Sequence, residues 1–160
     1  MASSSRVLIV EDDPNTLSGY LEFLAAAGFD PTGVQNGLEA LKSALRAPPA
    51  AIVTDIMLPG MNGFDLAAAL RQDPRTRAIP IIGLTAHWGT DIPARAREVA
   101  MQVVLSKPCV PAHLVAELER MLGLATALAA VRAVGPIRMT ISSADRHEAP
   151  AHVRQASGSR

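Results

Sequence analysis

The stretch Ala50-Ala51-Ile52-Val53-Thr54-Asp55-Ile56-Met57-Leu58-Pro59-Gly60-Met61-Asn62-Gly63 passes from an apolar run through one acid into a loop bearing proline and glycine. Residues 50–54 have the continuous apolar character of a strand covered on both faces, and Asp55 closes that strand. The loop over residues 58–63 then leads into a helix over residues 64–71. A buried strand, a turn and an amphipathic helix in this order form the unit of an α/β sheet.

The same alternation extends in both directions. Upstream, Val7-Leu8-Ile9-Val10 is another buried strand, followed by Asp13-Pro14 as helix N-cap and first-turn proline. Leu17, Tyr20, Leu21 and Leu24 recur at helical spacing until Gly28 ends the helix. Residues 29–34 read as a strand weakened by Pro31 and Gly33, which suits a sheet edge. Asn36-Gly37 opens a helix through Leu38, Leu41 and Leu45, stopped by Pro48-Pro49.

Downstream, residues 79–84 make a fourth strand and 91–100 a helix, followed by a fifth strand over 102–105. The fifth helix, 112–122, turns Leu114, Val115, Leu118, Met121 and Leu122 inward. Five strands alternating with five helices predict an α/β fold with a parallel sheet and right-handed crossovers. Beyond Gly123 the Ala-rich segment 124–134 would prolong the last helix or offer a dimer or docking face. Residues 135–160 read as a mostly disordered tail.

Composition narrows the function. Fifteen Lys+Arg balance fifteen Asp+Glu in the 160 residues, so binding to nucleic acid through bulk charge is not expected. One cysteine, Cys109, fits a reducing compartment, and the four histidines show no metal-ligand spacing. The N-terminus lacks the apolar core of a signal peptide. The weakly polar stretch 122–131 is well short of the roughly 20 residues that cross a bilayer. A cytoplasmic protein without membrane contact is the expectation.

Sites in open parallel sheets gather at the carboxyl ends of the strands. Those ends carry Glu11-Asp12-Asp13, then Asp55, Thr85 and finally Lys107-Pro108. Adjacent carboxylates repel, so Glu11, Asp12 and Asp55 together favour a hard divalent cation such as Mg²⁺. A carboxylate beside such a cation can attack phosphorus to give an acyl phosphate. Lys107 would supply a point charge for phosphate oxygens and Thr85 a hydroxyl donor. Lys107 is one of only two lysines against 13 arginines; the other, Lys42, belongs on a solvated helix face. Asp13 is expected to cap a helix, Cys109 to pack as a small hydrophobe and His113 to lie at the surface.

These residues resemble the receiver domain of two-component response regulators, over roughly residues 6–123. The resemblance rests on five pieces in order: the strand 7–10 with Glu11-Asp12; Asp55 with a proline four and a glycine eight residues on; Thr85-Ala86; and Lys107-Pro108. It implies a flavodoxin-like, doubly wound five-stranded parallel sheet of order 2-1-3-4-5 with helices on both faces. It also implies that Asp55 accepts a phosphoryl group from a histidine kinase or histidine phosphotransfer protein. Asp12, Asp55 and the backbone carbonyl of Met57 would hold Mg²⁺, with Glu11 acting through water. Thr85 and Lys107 would engage the phosphoryl oxygens and couple them to the fourth helix, fifth strand and fifth helix. The Lys107–Pro108 peptide would be cis, and Met57 and His87 occupy positions that tune phosphate lifetime.

Two departures stand out. Val104 occupies the position where the family often has an aromatic switch residue, and Val99-Ala100-Met101 replaces a common glycine before the fifth strand. The leading expectation is a stand-alone response regulator, a phosphoacceptor that catalyses only its own phosphorylation and dephosphorylation and signals to a downstream protein. The alternative is a receiver-like interaction scaffold without a phosphorylation switch. An aspartyl-phosphate hydrolase would need a second aspartate two residues after the nucleophile, where Met57 stands.

Overall fold

The computed structural model describes residues 4–124. Its elements run β1 (Arg6–Val10), α1 (Pro14–Ala26), β2 (Asp30–Val34), α2 (Gly37–Arg46), β3 (Ala51–Asp55), α3 (Gly63–Gln72), β4 (Ile81–Thr85), α4 (Ile92–Glu98), β5 (Val103–Ser106) and α5 (Pro111–Leu122). All the strand pairs are parallel, in the order β2-β1-β3-β4-β5. β2, with Pro31 and Gly33, lies at the edge as its composition predicts.

Alternation along each strand divides the core in two. Leu8, Val10, Ile52 and Ile81 pack with α2, α3 and α4 on one face. Val7, Ile9, Ala51, Val53, Ile82 and Leu84 pack with α1 and α5 on the other. Apolar side chains on both faces are why the strands read as continuous runs rather than alternating ones.

The buried face of α2 is made mainly of small residues, with Leu41 packing partly against the same cluster. Gly37, Ala40 and Ala44 are buried, whereas Leu38 is 52% exposed. The cause is close approach: a Cβ on Gly37 would lie 2.4 Å from the carbonyl oxygen of Met61. No side chain fits at Gly37, where α2 meets the loop before α3. α5 turns Leu114, Val115 and Leu118 inward as expected, with Met121 and Leu122 partly buried against the same cluster. It ends at Gly123, whose φ of +63° is left-handed, so the helix does not run on through this position. The proposed extension beyond residue 124 and the tail 135–160 lie outside the described residues. Among the described residues, no helix is long and apolar enough to cross a membrane.

Candidate functional site

Strand register assembles the site. Val10 pairs with Thr54, so Glu11 and Asp12 leave β1 beside Asp55. Asp55 pairs with Leu84 and Thr85 with Ser106, which brings Thr85 and then Lys107 to the same edge. Residues distant in sequence therefore meet because each stands at or just past the end of a parallel strand.

Local structure fixes each side chain. Asp55 ends a wholly buried strand and is itself 6% exposed. The backbone N–H of Met57 donates to its Oδ1 at 3.0 Å. The loop must then fold back tightly, and Gly63 permits it: a Cβ there would lie 2.6 Å from the Asp55 carbonyl oxygen. Asn62 caps α3 by accepting from the N–H groups of Phe64 (2.9 Å) and Asp65 (3.0 Å). Asp13 caps α1 in the expected way, accepting from Thr16 N–H at 2.8 Å.

Glu11 is deeper than a solvated loop acid would be, at 2% exposure. Its Oε1 accepts from Asp13 N–H at 3.2 Å, and its Oε2 accepts from Lys107 Nζ at 2.5 Å. The same ammonium donates to Asp55 Oδ2 at 2.7 Å. Burial pushes the Glu11 carboxyl above its usual range, against the opposing pull of Lys107. Burial also draws the Lys107 pKa down, but hydrogen bonds to Asp55 and Glu11 outweigh it and hold the ammonium above its ordinary value. Lys107 is thus a fixed cation between two carboxylates, and the peptide joining it to Pro108 is cis.

One carboxylate oxygen from each of Glu11, Asp12 and Asp55 lies within 4.8 Å of the others. Asp12 is exposed, and the other two are buried. Three carboxylates against the single Lys107 ammonium leave a formal charge of about −2, which one divalent cation would balance. The donors are all hard oxygens on a cleft open through Asp12. The set fits a divalent metal site.

Thr85, expected as a hydroxyl donor to phosphoryl oxygens, engages the loop that follows it. Its Oγ1 donates to the His87 carbonyl at 2.9 Å and accepts from His87 N–H at 3.2 Å, closing a small ring over the start of the β4–α4 loop. Met57 and Trp88 stand on the rim, 63% and 57% exposed. Val104 is half-buried on β5 and packs toward the α3–α4 cluster. Cys109 is buried, which raises its thiol pKa. With Tyr20, Gly19, Pro108 and Pro111 it lines an open groove of about 550 Å³ beside Lys107. That groove joins residues from α1 and the β5–α5 loop, and no spacing in the sequence signals it.

The response regulator receiver domain family matches residues 7–119. The chain is 34% identical over 143 residues to the transcriptional regulatory protein PrrA of Mycobacterium tuberculosis, spanning 87% of this chain and 60% of PrrA. It is 33% identical over 102 residues to the polar-differentiation response regulator DivK of Brucella anthropi, covering 64% of this chain and 83% of DivK. Among solved structures, chemotaxis protein CheY4 of Vibrio cholerae superimposes with a TM-score of 0.71 at 28% identity, over 74% of this chain and 98% of that one. The receiver domain of sensor histidine kinase PA1611 from Pseudomonas aeruginosa, which has a magnesium ion coordinated in its active-site cleft, gives 0.70 at 30% identity, over 76% and 99%.

Proposed function

The chain belongs to the response regulator receiver domain family, and we propose that it serves a two-component system by accepting a phosphoryl group on Asp55. The donor is a phosphohistidine on a histidine kinase or histidine phosphotransfer protein. One oxygen of Asp55 forms a bond to phosphorus as the bond from phosphorus to the histidine nitrogen breaks, leaving an acyl phosphate on this chain. The observation that carries this reading is the Lys107 ammonium, 2.7 Å from Asp55 and 2.5 Å from Glu11. It supports phosphoryl transfer because that reaction depends mainly on positioning and charge neutralisation.

Glu11, Asp12 and Asp55, with the backbone carbonyl of Met57, are the groups that would hold Mg²⁺. When bound, the ion supplies neutralising charge to the phosphoryl oxygens. Lys107 exchanges its contact with Asp55 for a phosphoryl oxygen once the carboxylate has become an ester-like acyl group. The Thr85 hydroxyl gives up the His87 carbonyl for another phosphoryl oxygen, which loosens the β4–α4 loop. Incubation with acetyl phosphate and Mg²⁺ adds one phosphate to the wild type, read by intact mass, and none to Asp55→Asn. Equal labelling of the two proteins overturns the assignment.

Val104 favours a second reading, an interaction scaffold that signals by contact alone, since its packed side chain offers no aromatic rotamer to switch. Phosphorylation that leaves amide exchange of α4 and β5 unchanged while a partner still binds selects that reading.

A further inference from the structure

α4 is held in opposite ways at its two ends. At the end nearest Asp55, Ala86, His87 and Trp88 are exposed, and the N-cap residue Asp91 makes no side-chain capping bond. At the far end a side chain from another helix closes on the backbone. Arg71, in the last turn of α3, donates through Nε to the Val99 carbonyl (3.2 Å) and through Nη2 to the Ala100 carbonyl (2.9 Å). Its Nη1 donates to the carbonyls of Arg77 (2.9 Å) and Ile79 (2.8 Å), on the approach to β4. One guanidinium therefore ties the C-terminus of α4 to α3 and to the segment entering the sheet.

The tethered point is itself unusual. Ala100 has φ +52°, a left-handed conformation that a Cβ disfavours. It is the only non-glycine residue with positive φ among those described. Met101 N–H donates to Ala96 (2.9 Å) and Ala100 N–H to Arg97 (3.1 Å), so this turn closes the helix. A glycine would adopt it freely; here alanine is held in place by carbonyl contacts on either side of its Cα. An ammonium could not serve four carbonyls on separate segments, whereas a planar fork of five donors can. α4 is seven residues long; buried Ile92 at its first position and Ala96 hold it to the core, and Arg95 lies 4.3 Å over the Phe64 ring.

We propose that Arg71 makes α4 a lever, pinned by hydrogen bonds at Val99 and Ala100 and held at its other end only by the packing of Ile92, without a side-chain cap at Asp91. A change at Asp55 and Thr85 then tilts the helix about its C-terminal end instead of sliding it along the sheet. The proposal rests on the phosphoacceptor reading of Asp55 and adds the fixed point about which the output surface turns. Arg71 touches neither phosphate nor metal and acts as a positioning residue.

The test is amide hydrogen exchange on the full chain, with and without Mg²⁺ and beryllium trifluoride as an acyl-phosphate mimic. In the wild type the mimic changes exchange by ~10-fold or more at residues 86–92 and by less than ~3-fold at 99–101. Arg71→Lys keeps the charge but loses the fork, and carries the change into 99–101. Adding Ala100→Gly to Arg71→Lys returns residues 99–101 toward the wild-type pattern, because glycine no longer needs the tether. Equal changes at both ends of the wild-type helix overturn the lever, as does an Arg71→Lys pattern identical to wild type. If the mimic changes nothing anywhere, the phosphoacceptor reading fails, and the free protein then decides the lever. In it, residues 99–101 should exchange ~10-fold more slowly than 86–92, a ratio that collapses in Arg71→Lys. A ratio that survives that substitution overturns the proposal.

Discussion

α1 and α4 both begin at the carboxyl edge of the sheet and both carry a proline in the first turn, yet they are built to different tolerances. α1 has 13 residues, a cap in which Asp13 accepts from both the amide and the hydroxyl of Thr16, and three buried side chains in Leu17, Tyr20 and Leu24. α4 has seven residues, no side-chain cap and two buried side chains in Ile92 and Ala96. The difference assigns tasks. α1 holds Glu11 and Asp12 still, since the loop carrying them ends in its cap, whereas α4 begins from the loop that the Thr85 hydroxyl grips. On the proposed phosphoacceptor reading, the α1 flank serves to place the cation and the α4 flank to report the change.

The widest gap should appear in stability. Leu24→Ala removes a side chain 1% exposed and should cost ~4 kcal/mol by urea unfolding, while Ile92→Ala, 7% exposed at the start of a short helix, should cost ~2 kcal/mol. Equal costs would erase the distinction. The caps come next: Asp13→Ala lowers Tm by a few degrees, and Asp91→Ala, which pairs with exposed Arg95 at 3.7 Å, leaves it nearly unchanged.

Acid should separate the helices in the same sense. Hydrogen bonds from the Thr16 hydroxyl and amide hold the Asp13 carboxyl below its ordinary 3.8. Its contribution is therefore complete above the unfolded-state value and drains as pH falls through the lower folded one. Asp13→Asn, which keeps the cap but not the charge, should flatten that part of the stability profile below about pH 4. Arg95→Ala should cost about 0.5 kcal/mol, read by urea unfolding, as the exposed cation of α4 leaves the Phe64 ring of α3.

Much of this was legible because the chemistry sits where strands end. Val7-Leu8-Ile9-Val10 and the run before Asp55 announce buried parallel strands, and register does the rest. What the sequence hides are contacts made to backbone. Arg71 reads as one more arginine on a helix, and its four carbonyl partners leave no trace in side-chain pattern. α2 misleads for a related reason. Its leucines have the right period, but only Leu41 packs against the core cluster, and the approach of the Met61 carbonyl leaves room for nothing larger than glycine at position 37. The position of Thr85 at the strand end is legible, while its engagement with His87 depends on a loop path that periodicity does not describe. The depth of Glu11 likewise follows from what covers it and not from its neighbours in sequence.

The edge strand β2 has a consequence for how copies of this fold meet. Asp30 N–H donates inward to Ser5, so the next residue, Pro31, turns its backbone nitrogen outward, where it has no hydrogen to give. A second molecule trying to add a strand along that margin finds a missing rung at its second step. At the opposite margin β5 is four residues long and contains no proline. Strand addition along the β2 margin is thus disfavoured by a single ring, a device the β5 strand does not carry.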